Sequence, residues 1–419
     1  MADAAVSSAS GFALSIAAVA LLDEGSLGVY AVFFTAYSFA MALPTELAFT
    51  PAEIKAIGLP AHLRVALLRS SLRSGALLAL AGAVLTLLSI PVTVGHVPVS
   101  SVTALAVSTF AAAVFGPVEE HIRKVLHVAG RSGSALVASV VMLITAAGSA
   151  IGLALSDIPP VWVPMTALAV ANVASIVAGL WVSRRDLGYW IPADDFRLKA
   201  LVSVGRYTFV AGFVPSASAF VASAMVTWLA GAEALGYAEA ARSVAQPILV
   251  LGVGLLRVLG PLSMESGRDA DREAARRHAR LFRGLMVAGT AGYLVVVAFP
   301  WALNPITYLQ GYDKAYTIPW LVVVVTLGNL MIGWGLPERS ELFGAGRERK
   351  VAGMELAATS ITLLTAATAA WTQAFARPLA RLTSFVFRAV AYRMMAVDIY
   401  RADRPANDGT VVEAVAEPT

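Results

Sequence analysis

The sequence predicts an all-α integral membrane protein with about twelve transmembrane helices in two similar halves. Three observations predict this fold class. Of the 419 residues, 58% are hydrophobic and only 14% are charged, whereas about a quarter of the residues of a soluble domain are charged. The chain contains twelve apolar segments long enough to cross a bilayer, and its basic residues alternate between the two ends of successive segments.

The apolar segments follow one another with short connections. A helix needs about 20 apolar residues to cross the hydrocarbon core, because each residue adds only about 1.5 Å. The segments lie at approximately 6–22, 27–49, 75–95, 101–126, 133–155, 161–182, 207–230, 236–262, 284–303, 317–337, 351–371 and 374–397. The first segment lacks a basic N-terminal region, so we expect a retained span rather than a cleaved signal peptide.

Basic residues predict the orientation of the chain, because cytoplasmic loops carry an excess of Lys and Arg. The even-numbered connections and the C-terminal end hold 26 of the 31 basic residues, whereas the odd-numbered connections hold only Lys314 and Arg377. We therefore expect both termini on the cytoplasmic side of the plasma (inner) membrane. This topology also explains the net charge of +4 without a nucleic-acid partner.

Two short motifs recur at nearly the same interval. Ala-Gly-Arg occurs at 129–131 and again at 345–347, and Leu-Gly occurs at 27–28 and again at 235–236. Each half contains six spans, an even number, so both halves enter the membrane in the same direction as parallel repeats. The predicted organisation is an N-terminal lobe at 1–183, a cytoplasmic linker at 184–206, a C-terminal lobe at 207–401 and a disordered cytoplasmic tail at 402–419.

Several kinds of chemistry are excluded or disfavoured by the sequence. The chain has no cysteine, which excludes disulfides, thiolate catalysis and zinc–thiolate sites. Its five histidines show no metal-ligand spacing, and no phosphate-binding glycine loop is present. The acidic pair Asp23-Glu24 lies in a turn too short to form a catalytic pocket, and we interpret it as a turn or helix cap. We predict a protein that is not an enzyme and binds no cofactor or metal, and we leave open whether protons or sodium ions are coupled to its function.

Three stretches resemble a known family. They are "LLDEGSLGVYAVFFTAYSFA", "GAEALGYAEAARSVAQPILVLGVGLLRVLGPLS" and "ITYLQGYDKAYTIPWLVV". They resemble the polysaccharide flippases of the multidrug, oligosaccharidyl-lipid and polysaccharide exporter superfamily. The resemblance extends over about 6–397 and is most pronounced at 201–350. A basic residue of relatives in the first span has no match here, which weakens any transfer of function to that span.

The resemblance implies two six-helix lobes around a central cavity that opens alternately to each side. It also implies movement of lipid-linked oligosaccharides from the inner to the outer leaflet, during polysaccharide and lipopolysaccharide biosynthesis for the cell envelope. The expected partners are the lipid-linked glycan, the lipid bilayer and the polysaccharide polymerase or export machinery. No nucleic acid is expected.

Two other functions compete with the flippase. A cation-coupled multidrug exporter of the same superfamily is the main alternative, and a membrane-embedded glycan-processing enzyme is the weaker one. A cation exporter should concentrate carboxylates within its spans. The spans instead hold similar numbers of both charges, and the residues in question are Arg242, Arg257, Arg381, Glu46, Glu239 and Glu355. The resemblance therefore favours the flippase.

Glu239 and Arg242 are the most informative charged residues. They lie three residues apart on one helix face, within an apolar span where a charge costs at least about 2.5–3.5 kcal/mol. Either they form an ion pair that holds the second lobe together, or Arg242 lines the cavity and binds an anionic group. The predicted cavity residues are Arg242, Glu239, Arg257, Gln246, Tyr237 and Arg381, and the predicted hinge residues are Pro215 and Pro247. A packing kink without motion is the alternative at both prolines.

Three further charges are assigned to local partners or to an interface. We expect Glu46 to reach water at the end of the second span. We expect Glu355 to pair with Lys350 or Arg349. Arg381 and Arg388 are seven residues apart and therefore share a face of the last span, which either lines the cavity or lies partly in the membrane interface.

Overall fold

The computed structural model describes residues 2–57, 60–184 and 198–402. These residues are almost entirely helical and contain no β-strand, so the predicted fold class is confirmed. The helices are α1 (Ala2–Leu21), α2 (Glu24–Pro44), α3 (Thr50–Ile57), α4 (Ala61–Leu85), α5 (Ser89–Thr93), α6 (Val99–Val128), α7 (Ser132–Ala154), α8 (Val163–Ser183), α9 (Leu198–Ala230), α10 (Ala232–Arg268), α11 (Arg272–Val297), α12 (Asp313–Tyr316), α13 (Leu321–Trp334), α14 (Leu336–Gly344), α15 (Glu348–Thr368) and α16 (Ala376–Ala402).

The predicted spans coincide with these helices. In the described part of the chain, ten helical stretches are long and apolar enough to cross a membrane. The other two predicted spans correspond to α1, whose apolar part Val6–Leu21 is shorter, and to α16, which carries several basic residues. The tenth predicted span is two helices, α13 and α14, with Pro337 in the first turn of α14. Proline is accommodated there because the N–H groups of a helix's first turn have no hydrogen-bond acceptor within the helix, so the N–H that proline lacks is not needed.

The two halves pack their helices in the same order. Contacts within the N-lobe (α1–α8) join α1–α7, α7–α8, α6–α8, α2–α6, α2–α4 and α4–α6. The equivalent contacts within the C-lobe (α9–α16) join α9–α15, α15–α16, α13–α16, α10–α13, α10–α11 and α11–α13. This correspondence is the arrangement of parallel repeats. The lobes meet mainly through α2, which packs against α9 and α10.

The repeated Ala-Gly-Arg motif forms the same turn in both lobes. Gly130 follows the end of α6 with φ of 73°, and Gly346 follows the end of α14 with φ of 66°. Glycine adopts this left-handed conformation without the steric cost that other residues meet, which is why it ends helices. The motif therefore marks equivalent helix–turn–helix connections.

The lobes are closed against each other at the end of the bundle where α1 ends and α2 begins, which we call the closed end. The largest buried apolar cluster lies here and draws on both lobes, including Leu27, Tyr30, Val244 and Tyr312. The loop before α13 also crosses to the N-lobe. Its Lys314 Nζ donates hydrogen bonds to the carbonyls of Val19 (3.2 Å) and Leu22 at the C-terminal end of α1.

Several helices extend beyond the predicted apolar spans. The helix α11 begins at Arg272 rather than 284, and α9 begins at Leu198 rather than 207. The difference arises because charged turns can continue a helix beyond the hydrocarbon core, whereas an apolar pattern reports only the part within it. The helix α9 therefore begins inside the predicted linker, of which 185–197 lies outside the described residues. The predicted tail also lies outside them from 403 onwards.

Candidate functional site

A basic cavity occupies the C-lobe and is bounded on the N-lobe side by α2. It contains about 1140 Å³ of space, part of it open to solvent. Four arginines line it, from α10 and α16, and they are Arg242, Arg377, Arg381 and Arg388. Hydroxyl and amide groups lie between them, and these belong to Thr35, Ser38, Ser218, Gln246, Asn329 and Ser384. The site therefore offers cationic groups together with hydrogen-bonding groups.

A second cavity continues the first away from the closed end. It contains about 720 Å³ and shares Pro215, Phe385 and Arg388 with the basic cavity. Its walls include Arg339 and Tyr392, which lie towards the opposite end of the bundle. The two cavities together form a route from the centre of the C-lobe towards that end.

Glu239 joins two helices through two arginines. Its Oε1 accepts hydrogen bonds from Nε (2.8 Å) and Nη2 (2.5 Å) of Arg242, on the same helix. Its Oε2 accepts a hydrogen bond from Nη1 of Arg377 on α16, at 3.2 Å. The Glu239 side chain is only 1% exposed. A buried carboxylate between two guanidinium groups is compensated in charge and ties α10 to α16.

Arg242 also faces the cavity and the N-lobe. Its side chain is 12% exposed, and its guanidinium carbon lies 5.0 Å from the centre of the Phe34 ring on α2, within the range of a cation–π contact. Both sequence interpretations of the pair therefore describe part of the geometry. Glu239 is a structural connection, whereas Arg242 presents a charge to the cavity.

The last helix presents a row of arginines to the cavity. Arg377, Arg381 and Arg388 are spaced by four and seven residues, so they share one face of α16. All three line the basic cavity, so this face of α16 is directed into it, and a role of Arg381 and Arg388 in binding stays a prediction. Arg381 forms no ion pair or hydrogen bond with a residue that the structure describes, and its guanidinium lies 5.8 Å from the Phe385 ring.

The remaining predicted site residues differ in their positions. Gln246 lines the basic cavity, and its Oε1 is buried without a hydrogen-bond partner in the described part of the chain. Tyr237 is not among the residues that line either cavity and packs against the apolar cluster at the closed end. The side chain of Arg257 lies outside the described residues. Pro215 lines both cavities, and Pro247 lies within the uninterrupted helix α10; their role as hinges stays a prediction.

One carboxylate has partners on α16 that the sequence interpretation missed. Glu355 does not pair with Lys350 or Arg349; it accepts hydrogen bonds from Nε of Arg388 (2.8 Å) and from the hydroxyl of Tyr392. The reason is that α15 packs along α16, so residues of α16 that are distant in the chain contact Glu355, whereas its neighbours in the first turn of α15 do not.

Glu46 is half-buried and lies against the C-lobe, so the expectation that it reaches water at the end of its span stays a prediction. It lies in a π-helical turn, Thr45–Phe49, and its carboxyl group lies against Gly212 of α9. There it lines the second cavity. Because Gly212 has no side chain, the N-lobe carboxylate can enter the wall of a C-lobe cavity.

Charge determines what the basic cavity can bind. Four guanidinium groups line it, and the carboxylates of Glu239 and Glu355 neutralise two of them, which leaves two positive charges. Both of these carboxylates are occupied by arginines. The described residues contain no cluster of His, Cys, Asp and Glu suited to a metal ion. The arrangement therefore suits an anionic group better than a cationic one.

Comparison with known proteins identifies the fold. No protein-family model and no curated protein matches the sequence. An inward-facing structure of a multidrug resistance MATE family transporter of the MOP superfamily aligns with a TM-score of 0.68 and 14% identity, over 95% of this chain and 96% of that chain. This chain has the MOP transporter fold. A ligand complex of the MATE multidrug transporter DinF-BH aligns with a TM-score of 0.65 and 12% identity, over 95% of both chains.

Two other solved structures with the MOP fold refine the comparison. A MOP superfamily transporter from Pyrococcus furiosus aligns with a TM-score of 0.61 and 15% identity, over 95% of this chain and 94% of that chain. Its binding pocket is described as having reverse polarity that suggests a different function. An outward-facing MATE family structure aligns with a lower TM-score than the inward-facing one, 0.60 at 15% identity over 96% of both chains.

The comparisons support some of the sequence predictions and not others. The MOP fold agrees with the superfamily that the sequence resembles. The polysaccharide flippase family itself is not confirmed. Because the similar structures are described as multidrug transporters, they support the multidrug alternative better than lipid-linked oligosaccharide flipping.

Proposed function

We propose that this protein is a membrane transporter that carries amphipathic molecules with an anionic group across the bilayer by alternating access. The basic cavity is the observation that carries the proposal. Its unneutralised arginines lie in the C-lobe, and the two lobes pack against each other at the closed end. A wet cavity removes the cost of several kcal/mol that each unpaired polar group would pay in hydrocarbon. We place the protein in the plasma (inner) membrane with both termini in the cytoplasm.

The first candidate function is multidrug export, which the similar solved structures favour. Here the cavity charge restricts the substrate. Among the described residues no carboxylate lines the basic cavity, and the two carboxylates that contact its arginines, Glu239 and Glu355, are paired with them, so a cationic drug finds no free counter-charge there. We therefore propose anionic or zwitterionic drug-like compounds as the exported class. Coupling to protons or sodium ions is part of this candidate.

The second candidate function is the flipping of a lipid-linked oligosaccharide, which the sequence resemblance and the same cavity charge support. A diphosphate is a good partner for several arginines, because guanidinium groups bind phosphate oxygens through two hydrogen bonds. Outward movement of a diphosphate with two negative charges releases roughly 4–5 kcal/mol of free energy when the cytoplasmic side of the membrane is about 100 mV negative. Membrane voltage can then give the movement its direction. In this candidate, a polysaccharide polymerase or export complex receives the product.

Transport by the purified protein in proteoliposomes tests the proposal. Three fluorescent probes are compared: an oligosaccharide on a short prenyl diphosphate, an anionic amphipathic dye and a cationic dye. We expect saturable movement of at least one anionic probe. Movement of the diphosphate lipid alone supports the flippase, movement of the anionic dye supports the exporter, and movement of the cationic dye alone would overturn the proposal.

A deletion strain separates the two candidates in cells. Loss of a flippase leaves the lipid-linked glycan on the inner leaflet and does not alter drug tolerance. Loss of an exporter lowers tolerance to anionic drugs and leaves glycan export intact. A strain in which neither phenotype appears would contradict both candidates.

A further inference from the structure

A second basic surface lies outside the proposed transport route. It is a groove between α11 and α16, both of which pack against α14, and it contains about 920 Å³ of space. We call it the basic groove and define it by five arginines, which are Arg272, Arg276, Arg280, Arg283 and Arg393. None of the residues that line the groove lines the cavities described above.

Helical spacing explains why the arginines converge. Arg272, Arg276, Arg280 and Arg283 recur every three or four residues and so occupy one face of α11. On the same helix, the small buried side chains of Ala275 and Ala279 line the groove and leave room between the helices. Across the groove, α16 contributes Arg393 and, two turns later, Tyr400.

Most of this positive charge has no partner within the protein. Arg283 is bound by Glu338, and Glu341 accepts a hydrogen bond from the hydroxyl of Tyr400 at 3.2 Å. The four remaining groove arginines are exposed and form no ion pair with a residue that the structure describes. Like charges that face one another across a groove repel, and an anion bound between them would relieve the repulsion.

Exposed apolar side chains that follow two of the groove arginines in the chain indicate what the anion is. Leu281, next to Arg280 on α11, is 52% exposed, and Met394, next to Arg393 on α16, is 67% exposed. Large apolar side chains at such positions in a membrane protein face acyl chains. The groove therefore lies where the hydrocarbon core meets the headgroup layer. We propose that the basic groove binds the phosphate headgroup of an anionic phospholipid, with its acyl chains against these apolar side chains.

The charge bias of cytoplasmic loops and a lipid-binding site at the groove differ in the residues that they require. Arg277, Arg349 and Lys350 belong to the same predicted side and are also exposed, yet they do not line it. If anionic lipids were attracted only to the overall positive charge, lipid binding would depend equally on both sets of residues. Binding at a defined site would depend on the groove residues alone.

Native mass spectrometry of the purified protein tests the proposal, with phosphatidylglycerol and phosphatidylcholine as the probes. The groove variant carries Arg276→Gln, Arg280→Gln and Arg393→Gln. The control variant carries Arg277→Gln, Arg349→Gln and Lys350→Gln, so it loses the same charge elsewhere. We expect phosphatidylglycerol affinity to fall at least about tenfold in the groove variant and less than about twofold in the control, because each basic residue contributes about 1 kcal/mol.

A third variant and a competitor keep the test decisive. Replacing the same three groove arginines with lysine retains the charge and should retain phosphatidylglycerol binding, which shows that charge rather than misfolding causes the loss. Equal loss in the groove and control variants, or unchanged binding in the groove variant, would overturn the proposal. Displacement of the lipid by millimolar inorganic phosphate would also overturn it, because the site would then recognise a free anion.

Discussion

Gly28 of the N-lobe and Gly236 of the C-lobe face each other across the crossing of α2 and α10, and each lies against a main-chain carbonyl of the other helix. A Cβ added to Gly28 would lie 1.8 Å from the carbonyl oxygen of Ala232, and one added to Gly236 would lie 2.0 Å from that of Glu24. These are the glycines of the repeated Leu-Gly motif. The reciprocal contact makes this crossing the tightest constraint on the closed end.

The first prediction follows from this crossing. The substitutions Gly28→Ala and Gly236→Ala should separate α2 from α10 and populate a conformation that is open at the closed end. Cysteines at Ser156 and Trp371, exposed on the two lobes at this end, can carry spin labels in the cysteine-free chain. Double electron–electron resonance should show a longer distance between the two spin labels in either variant than in the protein without the glycine substitution. Gly148→Ala is the control, because an added Cβ meets nothing within 4 Å there.

The second prediction concerns Lys314, whose ammonium group lies at the C-terminal end of α1. Lys314→Met should destabilise the closed end by about 1–3 kcal/mol, since it removes charge-assisted hydrogen bonds to carbonyls at a helix terminus. Hydrogen exchange should become faster in residues 304–320. Lys350→Met removes an exposed lysine elsewhere and should leave that exchange unchanged; an equal acceleration in both variants would argue against the Lys314 contact.

The third prediction concerns pH. Asp23 caps α2 by accepting a hydrogen bond from the backbone N–H of Ser26 at 2.9 Å, which confirms its interpretation as a helix cap. Burial raises the pKa of Asp23, but the hydrogen bonds from Ser26 and from nearby backbone N–H groups together outweigh it and hold the pKa below its ordinary value of 3.8. The cap therefore stabilises the fold fully above pH 3.8 and is lost as the pH falls through the lowered pKa.

Thermal unfolding in detergent measures this contribution. Asp23→Ala should lower the free energy of unfolding by about 1 kcal/mol at pH 7. The difference between this variant and the unaltered protein should shrink as the pH falls below 3.8. A difference that is constant over this range would show that the carboxylate does not act as the cap.

The fourth prediction distinguishes the members of the Glu239 cluster. Glu239→Gln leaves Arg242 and Arg377 as two buried cations without their shared carboxylate, so we expect a loss of stability of about 3–5 kcal/mol. Arg242→Ala should cost less, because Glu239 keeps its contact with Arg377. Unfolding midpoints in detergent check this order. Equal destabilisation by the two substitutions would mean that Arg377 does not compensate Glu239.

Local patterns in the sequence were sufficient for much of the fold. Apolar length predicted the helices, and the recurrence of Ala-Gly-Arg predicted two similar halves, in which Gly130 and Gly346 occupy equivalent turns. These features depend on residues close together in the chain. The orientation of the chain in the membrane stays a prediction.

The site was predicted only in part, because its contacts join distant helices. Arg242 and Glu239 were recognisable as charges in an apolar span. Arg377 was assigned to a connection, although its four-residue spacing from Arg381 is the signal that could have placed it on the same face. The partner of Glu355 depends on how α15 packs along α16, and a local charge pattern does not contain that information.

Substrate selectivity at Arg381 tests the central claim most directly, since this side chain lines the basic cavity and has no ion-pair partner among the described residues. Uptake of the anionic and cationic probes into proteoliposomes is measured for Arg381→Gln, Arg381→Lys and the surface control Arg349→Gln at matched protein amounts. We predict that Arg381→Gln lowers anionic uptake at least about tenfold, because it removes one charge-assisted contact. Arg381→Lys should retain part of the activity, and Arg349→Gln all of it. Anionic uptake by Arg381→Gln equal to that of the unaltered protein would contradict the account.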